Sequence, residues 1–400
     1  MGLKSSSSLP TAGEYSMARK KGGKGGGRRG RGGKKQVAYD ELDKYPVMPP
    51  HAFARIVRDK STLNIIYQII EPPLNKKEQE HRDELMDIFI KSLTANIDEI
   101  DADPGAYLRT AMDKIIKSYG MKINKKSKSK LFYYLRRDMI GYGKMDVLMN
   151  DPNVEDVSLD GTGIPIFAYH RKFESVETTC SWDTDDELES YIIKLAQRCG
   201  KHISVADPLL DATLMDGSRI VMKLGHEIST RGSCFCIRRF KEDPFSPCDI
   251  VAFRTMSSLM VAYLWIAFQN EVPMLFVGGT ASGKTTTLNA MCIFIPWQMK
   301  IVSIESTREV NIPQPNWVPG LTRQGFGGES SEGEIGEFEL LKAALRERPE
   351  YIIVGEIRGA EAYVLFQAMA TGHCAYSTVH ADSVPSLVHR LENKPIDIPR

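Results

Sequence analysis

The spacing of apolar positions changes character along the chain, and each change marks a region. From His51 to about Leu148 apolar residues recur every three or four positions, which predicts helices over Lys77–Leu93, Pro104–Tyr119 and Ser127–Met139. From Val154 to Thr179 the period shortens to two, predicting strands over 156–160, 164–169 and 173–178. A helix over Asp185–Cys199 follows, then strands near 209–213, 219–224 and 234–240, separated by Asp216-Gly217 and Arg231-Gly232 turns. Strands in a row with one or two helices imply an α+β unit. Past the Pro-containing stretch Lys241 to Pro247 the pattern alternates: helix 254–269, strand 273–277, helix 284–294, strand 300–305, helix 336–347, strand 351–355, helix 359–371, strand 374–379. Such alternation builds a parallel sheet with helices on both faces, whose ligands sit at the carboxyl ends of the strands. The expected organisation is a tail over 1–50, a helical module over 51–150, an α+β domain over 151–240, a linker over 241–250 and an α/β domain over 251–400.

Composition changes this picture at one end only. Hydrophobic residues make up 42% and charged residues 26%, ordinary for a globular protein, and 52 basic against 51 acidic residues name no partner. From Arg19 to Lys35, however, every residue is Arg, Lys or Gly, nine basic and eight glycine. With the Pro-rich Pro46 to Pro50 that follows, this tail is expected to be disordered, either a solvated leader or an electrostatic contact with anionic lipid or nucleic acid. Met17, just before it, is an alternative start. The seven cysteines are scattered without a C-x-x-C pair, so neither a disulfide framework nor a zinc site is indicated and a reducing cytosol is the expected setting. The longest apolar run, Leu259 to Phe268, is far short of the roughly 20 residues that cross a bilayer.

The chemistry gathers in the second half. Gly278-Gly279-Thr280-Ala281-Ser282-Gly283-Lys284-Thr285 is a complete G-x-x-x-x-G-K-[ST] loop between a strand pattern and a helix that opens with Thr286. Glycines let successive N–H groups face a phosphate while the helix directs its positive end at the same anion. Lys284 is placed to reach the β- and γ-phosphates and the Thr285 hydroxyl to hold Mg²⁺. The strand Tyr351 to Glu356 ends in a carboxylate suited to the Mg²⁺ shell. Ile301 to Glu309 carries two acids, Glu305 and Glu309, suited to orienting or deprotonating an attacking water. Cys374 to His380 ends in an imidazole able to donate to a γ-phosphate. Any one of these is ordinarily a solvated rim residue; together, at successive strand ends after a phosphate loop, they describe a nucleotide site.

The same segments carry a family resemblance. Gly279-Thr-Ala-Ser-Gly-Lys-Thr-Thr-Thr-Leu-Asn289, Ile304-Glu-Ser-Thr-Arg-Glu309, Leu345 through Arg358, and Thr371 through Ala381 resemble the Walker A, Asp, Walker B and His boxes of the type II/type IV secretion ATPases. The likeness is to the archaeal branch, which powers archaella, pili and secretion; Tyr133 to Asp146, Asn153 to Val157, Tyr169 to Arg171 and Leu210 to Ile220 are similar to it too. The resemblance runs from about residue 60 to the end and implies a hexameric ring ATPase, with an α+β N-terminal domain, a RecA-like domain and ATP between them. It also implies Glu309 as catalytic glutamate, Glu356 as Walker B acid and His380 as the His-box residue. A phosphate-contacting arginine is implied from the N-terminal domain, best matched by Arg219, with Arg231, Arg238 and Arg239 behind it.

Two departures stand out. Glu305-Ser306 replaces the common Glu-Asp, removing one acid and putting rate rather than binding in question. The chain stops at Asn393 to Arg400, where the family continues with another subdomain, so the RecA-like domain is expected to be C-terminally truncated. The expected function is an ATP- and Mg²⁺-dependent homohexameric motor at the cytoplasmic face of the membrane, acting on a polytopic platform protein, with residues 19–35 touching anionic lipid. Alternatives are a nucleic-acid-associated P-loop motor, suggested by the basic tail and the shared RecA-type core, and a non-hydrolysing, nucleotide-gated assembly or regulatory subunit, suggested by Ser306 and the short C-terminus.

Overall fold

Fourteen strands are divided between two sheets in a computed structural model that describes residues 39–92, 103–240, 244–280, 282–323, 333, 335–359, 361–394, 396 and 398. The basic run 19–35 and Ala281 of the phosphate loop lie outside the described residues. In chain order the first part holds β1 (Tyr39–Met48), β2 (Ala52–Asp59), β3 (Ile65–Ile70), α1 (Lys76–Ser92), α2 (Pro104–Ser118), α3 (Lys125–Met139) and α4 (Asp146–Asn150). It continues with β4 (Val154–Leu159), β5 (Phe167–His170), β6 (Glu174–Thr178), α5 (Asp185–Arg198), β7 (Leu209–Thr213), β8 (Arg219–Lys223) and β9 (Cys234–Arg238). These strands form one nine-stranded sheet in the order β1-β2-β3-β6-β5-β4-β9-β8-β7.

That sheet corrects three expectations. Residues 39–50 were assigned to the tail, yet Tyr39–Met48 is an edge strand paired antiparallel with β2. Its charged Asp40, Glu41, Asp43 and Lys44, together with irregular register at Glu41/Asp43 and Pro46/Met48, hide the alternation that identifies a strand. Residues 51–150 are not only helical, because β2 and β3 precede α1. Nor does the sheet break near residue 150: β3 pairs in parallel with β6, and Ala54, Ile56 and Tyr67 join Val157, Ile192 and Ile237 in one core. Helices α1 to α3 pack on one another through Leu85, Phe89, Leu108, Met112, Leu131 and Leu135, as their spacing predicts.

The second part begins inside the expected linker. Pro247–Ala252 is a helix, α6, started by a capping box in which Ser246 and Asp249 exchange hydrogen bonds. Then follow α7 (Ser258–Gln269), β10 (Met274–Gly278), α8 (Lys284–Cys292), β11 (Ile301–Glu305), β12 (Trp317–Leu321), α9 (Glu337–Ala344), β13 (Tyr351–Ile357), α10 (Glu361–Ala370), β14 (Cys374–His380) and α11 (Val384–Glu392). The five strands are parallel in the order β10-β14-β13-β11-β12. Successive residues of the buried strands feed opposite faces: Ile301, Tyr351, Ile353 and Tyr376 meet α7 and α8, whereas Val302, Ile304, Ile352 and Val354 meet α9 and α10. The expected RecA-like parallel sheet is therefore present, and its carboxyl edge gathers Gly278, Glu305, Glu356 and His380.

Candidate functional site

The phosphate loop is shaped by its glycines and closed by its own side chains. Gly283 caps α8 at φ +84°, left-handed backbone that favours glycine, and α8 starts without a side-chain cap. Its first N–H groups are therefore left for an external acceptor. A Cβ on Gly278 would meet Ser282 Oγ at 2.6 Å, whereas one on Gly279 would meet nothing within 4 Å. Ser282 Oγ donates to the Gly279 carbonyl at 2.8 Å and Lys284 Nζ donates to the same oxygen at 2.7 Å. Thr285 is half-buried at the start of α8, and Thr286 and Thr280 are exposed.

From that lysine a polar chain crosses three strand ends. Gly278 is opposite His380 in the parallel pair of β10 and β14, which sets Lys284 Nζ 3.4 Å from His380 Nδ1. His380 Nε2 lies 3.4 Å from Glu356 Oε1, and Arg358 pairs with Glu356 Oε2 at 2.6 Å. Burial pushes the Glu356 carboxyl up, but the Arg358 hydrogen bond and the charges of Arg358, His380 and Lys284 outweigh it and hold the group below its ordinary value. Arg390 donates to the His380 carbonyl at 2.9 Å and so ties α11 to the same edge.

The two acids after β11 differ. Glu305 is 2% exposed and its Oε1 accepts from the backbone N–H groups of Glu309 and Val310 at 2.9 and 2.7 Å. Its Oε2 is buried without a partner among the described residues, and burial pushes the carboxyl up to about 7. Glu305 thus holds the turn that presents Glu309, which is exposed. Asn289 of α8 donates to the Glu309 carbonyl at 2.7 Å, fixing that turn to the phosphate-loop helix.

Of the four arginines expected from the first sheet, Arg219 is the one whose charge neighbours include residues of this edge. Arg219, at the start of β8, is held by both oxygens of Asp211 at 3.1 and 2.5 Å, which keeps its guanidinium above its ordinary value, and the charges of Arg358 and Glu309 reach it. Arg238 lies directly opposite Arg219 in the β8–β9 pair, and the other two are placed elsewhere. Arg231 is in the turn at the opposite end of the β8–β9 hairpin, since Lys223 and Cys234 pair beside that turn while Arg219 pairs with Arg238 at the other end. Arg238 is exposed and lies 3.5 Å from Asp156. Arg239 is turned inward, donating to the carbonyls of Asp151 and Val154, so it serves the backbone of β4.

Three residues of the site escaped the sequence reading. Arg358 carries a usable signal, two positions after Glu356 and hence on the same side of an extended chain. Glu337 and Arg308 carry none. Glu337 comes from α9, and burial pushes its carboxyl up to about 7. Arg308 lies with its guanidinium carbon 5.2 Å over Phe240, which packs beside Gly217 of the β7–β8 turn. Arg308, Phe240 and Gly217, with Thr213, Asp216 and Asn311, line a cavity of about 430 Å³ between the two sheets.

The donor set suits a nucleotide-bound Mg²⁺ better than a resident metal. No group of three or more His, Cys, Asp or Glu among the described residues can hold a metal by itself. One hydroxyl and one carboxylate, Thr285 and Glu356, are few donors for a resident metal and would suit an ion held mainly by phosphate oxygens and water. Among the described residues no helix is long and apolar enough to cross a membrane.

Comparison with known proteins bears on the same segments. A family model described as type II/IV secretion system protein matches residues 171–397. An uncharacterized protein of Methanocaldococcus jannaschii is 38% identical over 343 residues, covering 85% of this chain and 60% of its own length. The type IV secretion system protein VirB11 of Bartonella quintana is 29% identical over 232 residues, 50% of this chain and 64% of its own. Among solved structures, the Legionella pneumophila ATPase DotB aligns at 21% identity and a TM-score of 0.44, over 62% of this chain and 68% of that one. The chain spans 47% to 65% of the length of the first four curated relatives it matches.

Proposed function

The chain belongs to the type II/IV secretion system protein family, and on that premise we propose that it is an ATP-hydrolysing motor. The observation that carries the reading is the meeting of Lys284, His380 and Glu356 on three adjacent strand ends, with Arg219 of the other sheet among the charge neighbours of that edge. Gly278 to Thr286 form the phosphate cradle: the N–H groups at the start of α8 and the Lys284 ammonium neutralise the β- and γ-phosphates. Thr285 and Glu356 would hold Mg²⁺, which would supply charge neutralisation at the phosphates. Glu309 takes the proton of the attacking water, and Glu305 keeps the Glu309 turn in place through its two backbone hydrogen bonds. His380 donates toward the γ-phosphate and relays its presence to Glu356. Arg219 is the arginine that domain closure brings to the developing charge.

In this reading the working form is a homohexamer on the cytoplasmic face of the membrane. Closing and opening of one sheet against the other drives a polytopic platform protein that assembles a pilus-like filament, an archaellum or a secretion machine. The basic residues 19–35 add an electrostatic contact with anionic lipid. The test is Glu356→Gln: it is expected to retain ATP binding while turnover falls at least about a hundredfold, the scale of lost electrostatic stabilisation at a reacting centre. Unchanged turnover in that variant would sink the assignment. Light scattering with and without nucleotide tests the ring, and a monomer under all conditions would remove it.

A further inference from the structure

The turn that follows β11 carries Glu309, and the residue before it touches the first sheet. The backbone of that turn is held from within the second sheet: Glu305 Oε1 accepts from the N–H groups of Glu309 and Val310, and Asn289 donates to the Glu309 carbonyl. The Arg308 side chain is held differently. Its guanidinium carbon lies 5.2 Å from the centre of the Phe240 ring and 5.8 Å from that of Trp317. Both distances fall within the roughly 6 Å over which a ring face attracts a cation. Arg308 is half-buried, and its Nε is buried without a hydrogen-bond partner among the described residues. A guanidinium tolerates that loss of water because it is weakly hydrated and its flat face stacks on aromatic rings.

The two rings belong to different sheets, and each is fixed to its own. Trp317, in β12, donates from Nε1 to Ser303 Oγ of β11 at 2.9 Å. Phe240, just past β9, donates its backbone N–H to Ser218 Oγ at 3.0 Å. Its ring packs so close to the β7–β8 turn that a Cβ on Gly217 would lie 3.1 Å from it. Displacing the first sheet therefore carries Phe240 along, while Trp317 stays with β11. The cavity of about 430 Å³ that Phe240 and Arg308 line leaves room for such a shift.

Resting on the motor reading above, we propose that Arg308 is a positioning residue: stacked between Phe240 and Trp317, it sets the Glu309 turn according to where the first sheet sits. Glu309 is then in place for water only while the two sheets are together. The stack governs turnover rather than nucleotide binding, because the phosphate loop is built from β10 and α8 and neither ring belongs to them.

The test is steady-state ATP hydrolysis by the 400-residue chain in Mg²⁺, with kcat and KM separated, for wild type, Phe240→Leu, Phe240→Tyr, Arg308→Met and the Phe240→Leu/Arg308→Met double variant. Phe240→Leu keeps apolar bulk and removes the ring face. Its kcat is expected to fall about fivefold with KM within about twofold, the size of one partly buried cation–π contact. Phe240→Tyr keeps a ring and should keep the wild-type kcat. With Arg308 already replaced, Phe240→Leu should cost less than about 1.5-fold, because the two residues act as one unit. An unchanged kcat in Phe240→Leu, a loss confined to KM, an equal loss in Phe240→Tyr, or the full loss in the Arg308→Met background would overturn the proposal. A ring of structural value alone lowers the melting temperature without that pattern. If Phe240→Leu does not fold, Arg308→Met keeps the test open: its kcat should fall at least about fivefold at unchanged KM, and an unchanged kcat would count against the stack. Wild-type turnover that is lost in Lys284→Ala but unaffected by Phe240→Leu overturns this inference alone. A folded wild type without Lys284-dependent turnover overturns the motor reading and this inference together.

Discussion

Buried at the end of β11, the Glu305 carboxyl is pushed up from 4.5 to about 7 by desolvation, against the pull of two backbone N–H groups. The native state therefore holds an extra proton between those values, and stability contributed by Glu305 falls as pH rises through that window. The full cost above pH about 7 is on the order of 3 kcal/mol. Glu305→Gln keeps an acceptor for Glu309 and Val310, so its melting temperature should exceed that of wild type at pH 8 and match it near pH 5; a pH-independent difference would contradict the burial argument. Glu337 acts in the same direction and keeps part of the slope in that variant. Ser306 is reinterpreted on the same scale. Ser306 favours the ionised form of the Glu337 carboxyl, so Ser306→Asp brings a second negative charge toward it. Thermal unfolding should show a loss of about 1 kcal/mol at pH 8, shrinking as pH falls, and turnover should not rise. Residue identities on the strand ends were legible because each box is local. Glu337, and the inward turn of Arg239, depend on packing that no spacing records.

At the level of elements, the phosphate loop was fully legible because its strand, turn and helix are contiguous. Gly283→Ala tests its shape: at φ +84° a Cβ costs about 1–2 kcal/mol, to be read as a lower melting temperature together with weaker nucleotide binding. Helix α7 was legible as a helix, but the face it buries was not. It has no charged residue, yet Leu259 and Tyr263 are 79% and 73% exposed while Phe268 is fully buried against Tyr376. Leu259→Ser should change stability by no more than about 0.5 kcal/mol, and Phe268→Ala should cost about 3–5 kcal/mol by denaturant unfolding. Similar costs for both would mean that the exposure pattern is wrong. β1 and α6 were missed for opposite reasons: a charged, irregular edge strand lacks alternation, and a six-residue helix is too short to show a period.

Across the whole molecule, the parallel second sheet could be read from alternation of helix and strand, whereas the continuity of the first sheet could not. Joining β3 to β6 is a contact between Ile66 and Glu177, too distant in sequence for any local pattern to announce. Deleting residues 1–70 should remove buried Ala54, Ile56 and Tyr67 and unfold the first sheet. Arg219 and the Phe240–Arg308 contact lie where the two sheets face each other, the place at which the proposed motor would couple nucleotide chemistry to movement. The most direct measurement is steady-state ATP hydrolysis by the purified 400-residue chain in Mg²⁺, beside Lys284→Ala at equal concentration. Phosphate release by wild type that falls at least about a hundredfold in the variant is the predicted result. Release that is unchanged without the Lys284 ammonium would contradict the assignment of this site.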